Sequence, residues 1–303
     1  MRKITKKTGI FLIILSMFLS VSAGGCKQEK KYGDVKGMFW EVKKGNSTVY
    51  ILGTDHVGEK KFFPMAQVVE DAFDSSNIVV GEIDSTDTAE MSSAKTLMEY
   101  SNSETAMDHL SPAGKEKMNK LCKELNLNPE TLLNEKIYAI GLTIQLMQSM
   151  STGFDPAYGI DNHYLFKAKD NGKKIEEMES VKFQFDILNS FSDKEQENEF
   201  LLNVGTIEET KKLNDDIFKA YKAGDEEKLK ELAFGDKNSA IGDKNSNIYK
   251  KWVLERNIGM ANKIEEYLKT NNTYFVMAGT FHFVGDDSVI KMLRDKGYTV
   301  EKK

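Results

Sequence analysis

The chain has 303 residues, with 42 Lys and Arg against 47 Asp and Glu and a formal net charge of −5. An acidic surface of this kind argues against nucleic acid as a partner. The cysteines are Cys26 and Cys122 alone, and Cys26 belongs to the N-terminal feature described next, so no internal disulfide is expected.

Arg2, Lys3, Lys6 and Lys7 precede an apolar run over residues 10–21, and Ser22-Ala23-Gly24-Gly25 then leads to Cys26. A charged, then apolar, then small order is that of an export signal. The apolar run falls short of the roughly 20 residues a membrane span needs. Residues 1–25 are therefore read as a bacterial lipoprotein signal and Cys26 as the lipid-anchored first residue of the mature chain. The expected location is the extracytoplasmic face of the cell membrane, with membrane lipid as a partner through Cys26. The leader carries four bases and no acids, so the remainder carries −9. Residues 26–37 are polar and read as a tether, and residues 38–303 as the folded domain.

Residues 38–42 and 48–52 are strand-like runs around Gly45-Asn46, which marks a hairpin. Residues 63–75 have helical spacing, with Pro64 in the first turn and Met65, Val68, Val69, Ala72 and Phe73 on one face. Residues 78–80 form a short buried-type strand, followed by Gly81-Glu82. Helices are expected over 86–101, 111–125 and 135–150, the last apolar nearly all round and therefore buried. Cys122 sits in the second of these as a structural thiol. A helix over 160–168 closes at Asn171-Gly172, a strand follows at 174–178, and two charged helices span 193–213 and 215–232. Gly-Asp-Lys-Asn-Ser occurs twice, at 235–239 and 242–246, and reads as a mobile surface loop. Helix 250–269, strand 273–278, helix 288–295 and strand 298–300 complete the chain. Strands alternate with helices at both ends while the middle is helical. This predicts an α/β domain whose central, mostly parallel sheet comes from the N- and C-terminal parts.

The strongest local signal is a repeat. The strand at 49–52 is followed by Gly53-Thr54-Asp55-His56, and the strand at 274–278 by Gly279-Thr280-Phe281-His282. Two of the chain's four histidines sit in this context. A glycine after a strand permits a sharp turn, and ligands of open parallel sheets bind outside the carboxyl ends of the strands. Glu82 and Glu179 follow strands in the same way. Residues 49–52, 78–80 and 274–278 are thus expected as parallel neighbours with His56, His282, Glu82 and Glu179 on one rim. Imidazole and carboxylate together suit a divalent transition metal such as Mn, Co or Zn. Glu82 is read either as a metal ligand or as a strand-end cap, and Asp161 either as a helix N-cap or as a site residue. His109 is read as a surface residue and His163 as a helical residue outside the site. No phosphate loop, dinucleotide fingerprint, His-Glu-x-x-His helix or Gly-x-Ser-x-Gly elbow is present.

The chain resembles the TraB/GumN family, which includes the TIKI metalloproteases. The resemblance is carried by Phe39-Trp40-Glu41-Val42, the run from Tyr50 through His56 to Gly58, and Val79-Val80-Gly81-Glu82-Ile83-Asp84. Gly159-Ile160-Asp161, Glu177-Met178-Glu179, Glu255-Arg256-Asn257, the run from Val276 through His282 to Gly285, and Gly297-Tyr298-Thr299-Val300 continue it. Met178-Glu179-Ser180 stands where the family usually has Leu-Glu-Thr. The resemblance implies a fold related to erythromycin-esterase and haem-binding ChaN-like proteins, and a divalent metal held by the two histidines and a strand-end glutamate. It implies hydrolysis of a peptide or another extracytoplasmic substrate. His56 and His282 would be metal ligands, Glu82 a ligand or the general base, and Glu179 or Asp161 would complete the set or orient a histidine. Arg256 would pair with substrate or with the oxyanion; its alternative is a salt bridge on a helix surface. Two rival readings remain: a peptide-binding protein that blunts a signal without cleavage, as the PrgY branch is thought to do, and a metal- or haem-carrying lipoprotein.

Overall fold

A computed structural model describes residues 32–303 except residue 102. The expected export signal, Cys26 and the first part of the tether lie outside the described residues. Six strands build one sheet: β1 (Met38–Lys44), β2 (Ser47–Thr54), β3 (Ile78–Gly81), β4 (Lys174–Glu177), β5 (Thr273–Gly279) and β6 (Val300–Lys302). Their order is β4-β3-β5-β2-β1-β6. β2, β5, β3 and β4 run parallel to one another, while β1 is antiparallel to both β2 and β6. The expected juxtaposition of 49–52, 78–80 and 274–278 is therefore found, with β5 between the other two. Gly45, at φ +58°, turns the hairpin so that Lys44 pairs with Ser47.

The central strands are apolar on both faces because helices cover both. In β5 successive side chains point to opposite sides. Phe275 packs on Phe73 and Tyr164, of helices Gln67–Ser75 and Ile160–Asp170. Tyr274 stacks on Tyr267 of helix Arg256–Tyr267 at 4.5 Å. The helical middle has its own core, in which Met118, Leu121, Cys122, Ile140, Ile144 and Phe200 are buried. Cys122 is a free buried thiol there, and burial raises its pKa. Among the described residues no helix is long and apolar enough to cross a membrane.

Several boundaries differ from expectation, each for a local reason. The tether does not run free to residue 37: Val35 is buried, Gly33 N–H donates to the Met65 carbonyl and Ala66 N–H to that of Val35. Ala66, held by that pairing, is extended, so the helix starts at Gln67 rather than around Pro64, and Val68 faces outward. Helix Ile137–Ser151 is not buried all round, because Leu142, Leu146 and Met150 are exposed along one side. The two charged helices are three, Asp193–Asn203, Ile207–Ala223 and Glu226–Phe234. A capping box between Thr206 and Glu209 starts the second and Gly224, at φ +69°, ends it. Helix Val181–Asn189 has no counterpart among the expected elements. The last strand lies two residues later than expected, at Val300–Lys302. The pentapeptide repeat forms the same turn twice: Asp236 accepts from Asn238 N–H, and Asp243 from Asn245 N–H.

His163 lies on helix Ile160–Asp170, its ring stacked on Phe63 at 3.7 Å. Burial, with Lys167 adding to it and Glu70 opposing, lowers its pKa to about 4. An unfolded histidine titrates near 6.5. Between roughly pH 6.5 and 4 the unfolded chain binds the extra proton and the folded one does not, so stability is lost as pH falls through this window. The pH dependence of the urea midpoint in His163→Phe should be flatter than wild type between pH 7 and 4.5. Equal slopes would show that this ring is not held neutral.

Candidate metal centre

The two repeated motifs end neighbouring parallel strands, and Thr54 pairs in register with Gly279. A side chain at Gly53 would run into Thr280, which instead closes against β2 with its hydroxyl donating to the Thr54 carbonyl at 3.0 Å. The chain beyond Thr54 is tied to residues 155–160. Gly58 and Asp155 exchange backbone hydrogen bonds, and Ile160 N–H donates to the Asp55 carbonyl. Both Gly58 and Gly159 lack room for a Cβ, at 2.1 Å from the Tyr158 carbonyl and 2.6 Å from the His56 carbonyl respectively. These close approaches seat His56 beside Asp161.

Each histidine is anchored through Nδ1. His56 Nδ1 meets Asp161 Oδ2 at 2.7 Å. His282 Nδ1 meets Asn257 Oδ1 at 2.5 Å, and Asn257 Nδ2 donates to the Asp287 carbonyl. With its amide fixed that way, Asn257 accepts the Nδ1–H, and the neutral His282 ring carries its lone pair on Nε2. The two rings then come to the same spot. A Cβ placed on Gly279 would lie 3.8 Å from His56 Nε2, 3.8 Å from His282 Cδ2 and 3.3 Å from Glu82 Oε1. A side chain at position 279 would stand in this gap.

Glu82 leaves the end of β3 and is fastened on all sides. Oε1 accepts from Gly279 N–H at 2.5 Å, and Oε2 from Arg256 Nη2 at 2.8 Å and Gln184 Nε2 at 3.1 Å. Glu179 is brought alongside because Glu179 N–H donates to the Glu82 carbonyl, extending the β3–β4 pairing by one step. Its oxygens are taken by Arg256 Nε and Nη2 and by Gln184. Arg256 is 3 % exposed and its guanidinium lies over Trp252 at 4.3 Å. It is therefore not on a helix surface; it is a buried clamp between two carboxylates. It begins helix Arg256–Tyr267 directly after a π-helical turn, Tyr249–Glu255, a distortion often found at working sites.

The charges follow from this packing. Burial raises the Glu82 pKa, but His282, Arg256, His56 and the Gly279 N–H outweigh it and bring it to about 2. Burial lowers His282 to about 4, with Arg256 and His56 adding and Glu82 opposing. Asp161 raises the His56 pKa, and Glu82 and Asp55 add to it. The His56 side chain is 64 % exposed, so water screens that attraction. Asp55 is pushed up to about 6 by burial and by Asp161.

A divalent metal fits this arrangement in three respects. Two imidazoles with anchored Nδ1 present Nε2, the usual geometry of metal-binding histidines. His282 Nε2 and Glu82 Oε1 are 3.7 Å apart, too far for a hydrogen bond and close to the about 3.4 Å that separates two donors on one tetrahedral ion. Asp161 Oδ1 is buried and has no hydrogen-bond partner among the described residues. Among the described residues no three His, Cys, Asp or Glu side chains form a metal cluster.

Of the residues singled out in the sequence, His56, His282 and Glu82 come together around the gap at Gly279, while Asp161 stands behind His56 and Glu179 and Arg256 stand behind Glu82. His109 and His163 do not join them. His109 is half-buried, not a surface residue; it stacks on Tyr100 at 4.1 Å and pairs with Asp193 at 2.7 Å. Gln184, Asn257 and Asp55 were not singled out for chemistry. Ser180, which caps helix Val181–Asn189, was the available signal for Gln184, and adjacency to His56 the signal for Asp55.

The sequence model of the TraB/PrgY/gumN family matches residues 38–302. An uncharacterized protein of Treponema pallidum (strain Nichols) is 23 % identical over 270 residues, covering 86 % of this chain and 80 % of that one. The uncharacterized protein YbaP of Escherichia coli (strain K12) is 22 % identical over 151 residues, or 50 % of this chain and 55 % of that one. No solved structure matches.

Proposed function

The chain belongs to the TraB/PrgY/gumN family, and on that premise we propose that it is a metal-dependent hydrolase of peptides, tethered outside the cytoplasm through lipid on Cys26. The observation that carries the reading is the pair of Nδ1-anchored imidazoles meeting Glu82 across the gap at Gly279. His56, His282 and Glu82 would hold the ion, which when bound supplies Lewis acidity and acidifies water. Glu82, at a pKa of about 2, is a poor proton acceptor at neutral pH and a good anionic ligand. Asp161 and Asn257 orient the two rings. Arg256, Glu179 and Gln184 hold Glu82 in place, so Glu179 acts behind the ligand rather than as one.

Incubation of the purified protein with a peptide library and Mn, Co or Zn, followed by mass spectrometry, should reveal new peptide termini. They should disappear with chelator and return with metal. Peptides retained in stoichiometric amount and left uncut would contradict the hydrolase and support a binding protein.

The anchor has its own test. Cys26→Ser removes the thiol that would carry the lipid, so labelled palmitate should no longer enter the protein and it should leave the membrane fraction. Continued labelling of the variant would rule out Cys26 as the anchor.

A further inference from the structure

We propose that a cavity beside Asn257 is a substrate subsite that takes an apolar side chain followed by a carboxylate, with Lys237 as the contact for that carboxylate; this rests on the peptidase reading above. The cavity is about 220 Å³, walled by Phe234, Tyr249, Val253 and Val284. An apolar cavity of about 150 Å³ already admits benzene, so one aromatic or branched side chain fits, while a drug-sized ligand needs more. Asn257 lines the cavity and also holds His282 Nδ1. Val284 and Gly285 follow His282 in the chain and line it too. Asn257 thus links the cavity wall to the His282 ring.

The rim is built by the duplicated pentapeptide. Lys237 and Lys244 occupy the same place in the two copies, and both line the cavity. The acids of the lining already have lysine partners: Glu231 pairs with Lys228, Asp286 with Lys230, and Asp287 with Lys244 at 2.7 Å. Tyr249 also donates to Asp287. Lys237 Nζ is held only by the main-chain carbonyls of Phe234 and Gly242, at 3.2 and 3.4 Å, among the described residues. It is thus the uncompensated positive charge on the rim. An apolar floor under an ammonium that no carboxylate of the described residues neutralises is complementary to an apolar residue next to a carboxylate, either the peptide's own C-terminus or an adjacent acidic residue.

The test uses the full chain in detergent, stripped of metal with chelator so that nothing is cut. The probes are amino-terminally fluorescein-labelled hexapeptides read by anisotropy. A peptide ending in Phe with a free carboxylate should bind about tenfold tighter than its amide, and tighter by a similar factor than the peptide ending in Gly. Lys237→Gln should bring the acid-to-amide ratio below about twofold, and Lys237→Arg should retain it. A peptide ending in Phe-Asp-amide that matches the free acid assigns the carboxylate to an internal residue; a weaker one assigns it to the C-terminus. Both support the proposal. Equal binding of acid and amide, a preference that survives Lys237→Gln, or no binding would overturn it. Turnover with metal but without the preference removes the subsite and leaves the hydrolase. The preference without any turnover does the reverse.

Discussion

On the proposed metal-binding reading, His56→Ala and His282→Ala should each abolish divalent-metal binding nearly as completely as the double substitution. The two rings come from the ends of neighbouring strands and meet at one gap, so removing either leaves the other with too few partners to hold an ion. Each loss should weaken binding by more than about 100-fold, since even residues that merely orient a ligand are worth 10- to 100-fold. Asn257→Ala should fall in that lower range, because it frees the His282 ring without deleting it. His109→Ala and His163→Ala should bind as wild type, since both rings are engaged elsewhere. Calorimetric titration with Mn, Co and Zn reads all six. Wild-type affinity in either His56→Ala or His282→Ala would reduce the Gly-Thr-x-His repeat to a structural turn.

Arg256→Met costs about 3–5 kcal/mol of folding stability, the range for leaving a buried charge without its partner. Two carboxylates depend on Arg256: Glu179, 6 % exposed at the side chain, and Glu82, 10 % exposed. Arg256→Lys should recover little, because the guanidinium serves both acids with Nε and Nη2 at once and an ammonium has no such fork. Adding Glu179→Gln to Arg256→Met should return part of the loss, since it removes one of the stranded charges. Urea unfolding checks each. A loss below about 1 kcal/mol in Arg256→Met would place the pair among ordinary surface salt bridges.

The sheet and the histidine pair were legible because their signals are local. A run of apolar residues closed by glycine marks a buried strand end, and the same Gly-Thr-x-His pattern after two such runs points to adjacent strands. The supporting residues were not legible because their roles come from tertiary partners. Nothing near Arg256 in the sequence tells that it faces Glu82, 174 residues earlier. Asn257 acquires its role from the carbonyl of Asp287 and the ring of His282. Val68 has the spacing of a core residue and is nonetheless exposed, because the pairing of residues 33–35 with 65–66 sets where the helix starts. The break at Val204-Gly205-Thr206 carried a readable signal, a Thr followed three residues on by Glu209, but the surrounding run of charges has helical spacing on both sides of it.

The most direct test of the account is anomalous scattering from crystals of the protein soaked in Mn, Co or Zn. The account predicts one strong peak in the gap at Gly279, bonded to Nε2 of both His56 and His282 with Glu82 beside it. A peak elsewhere, or none at saturating metal, would contradict it.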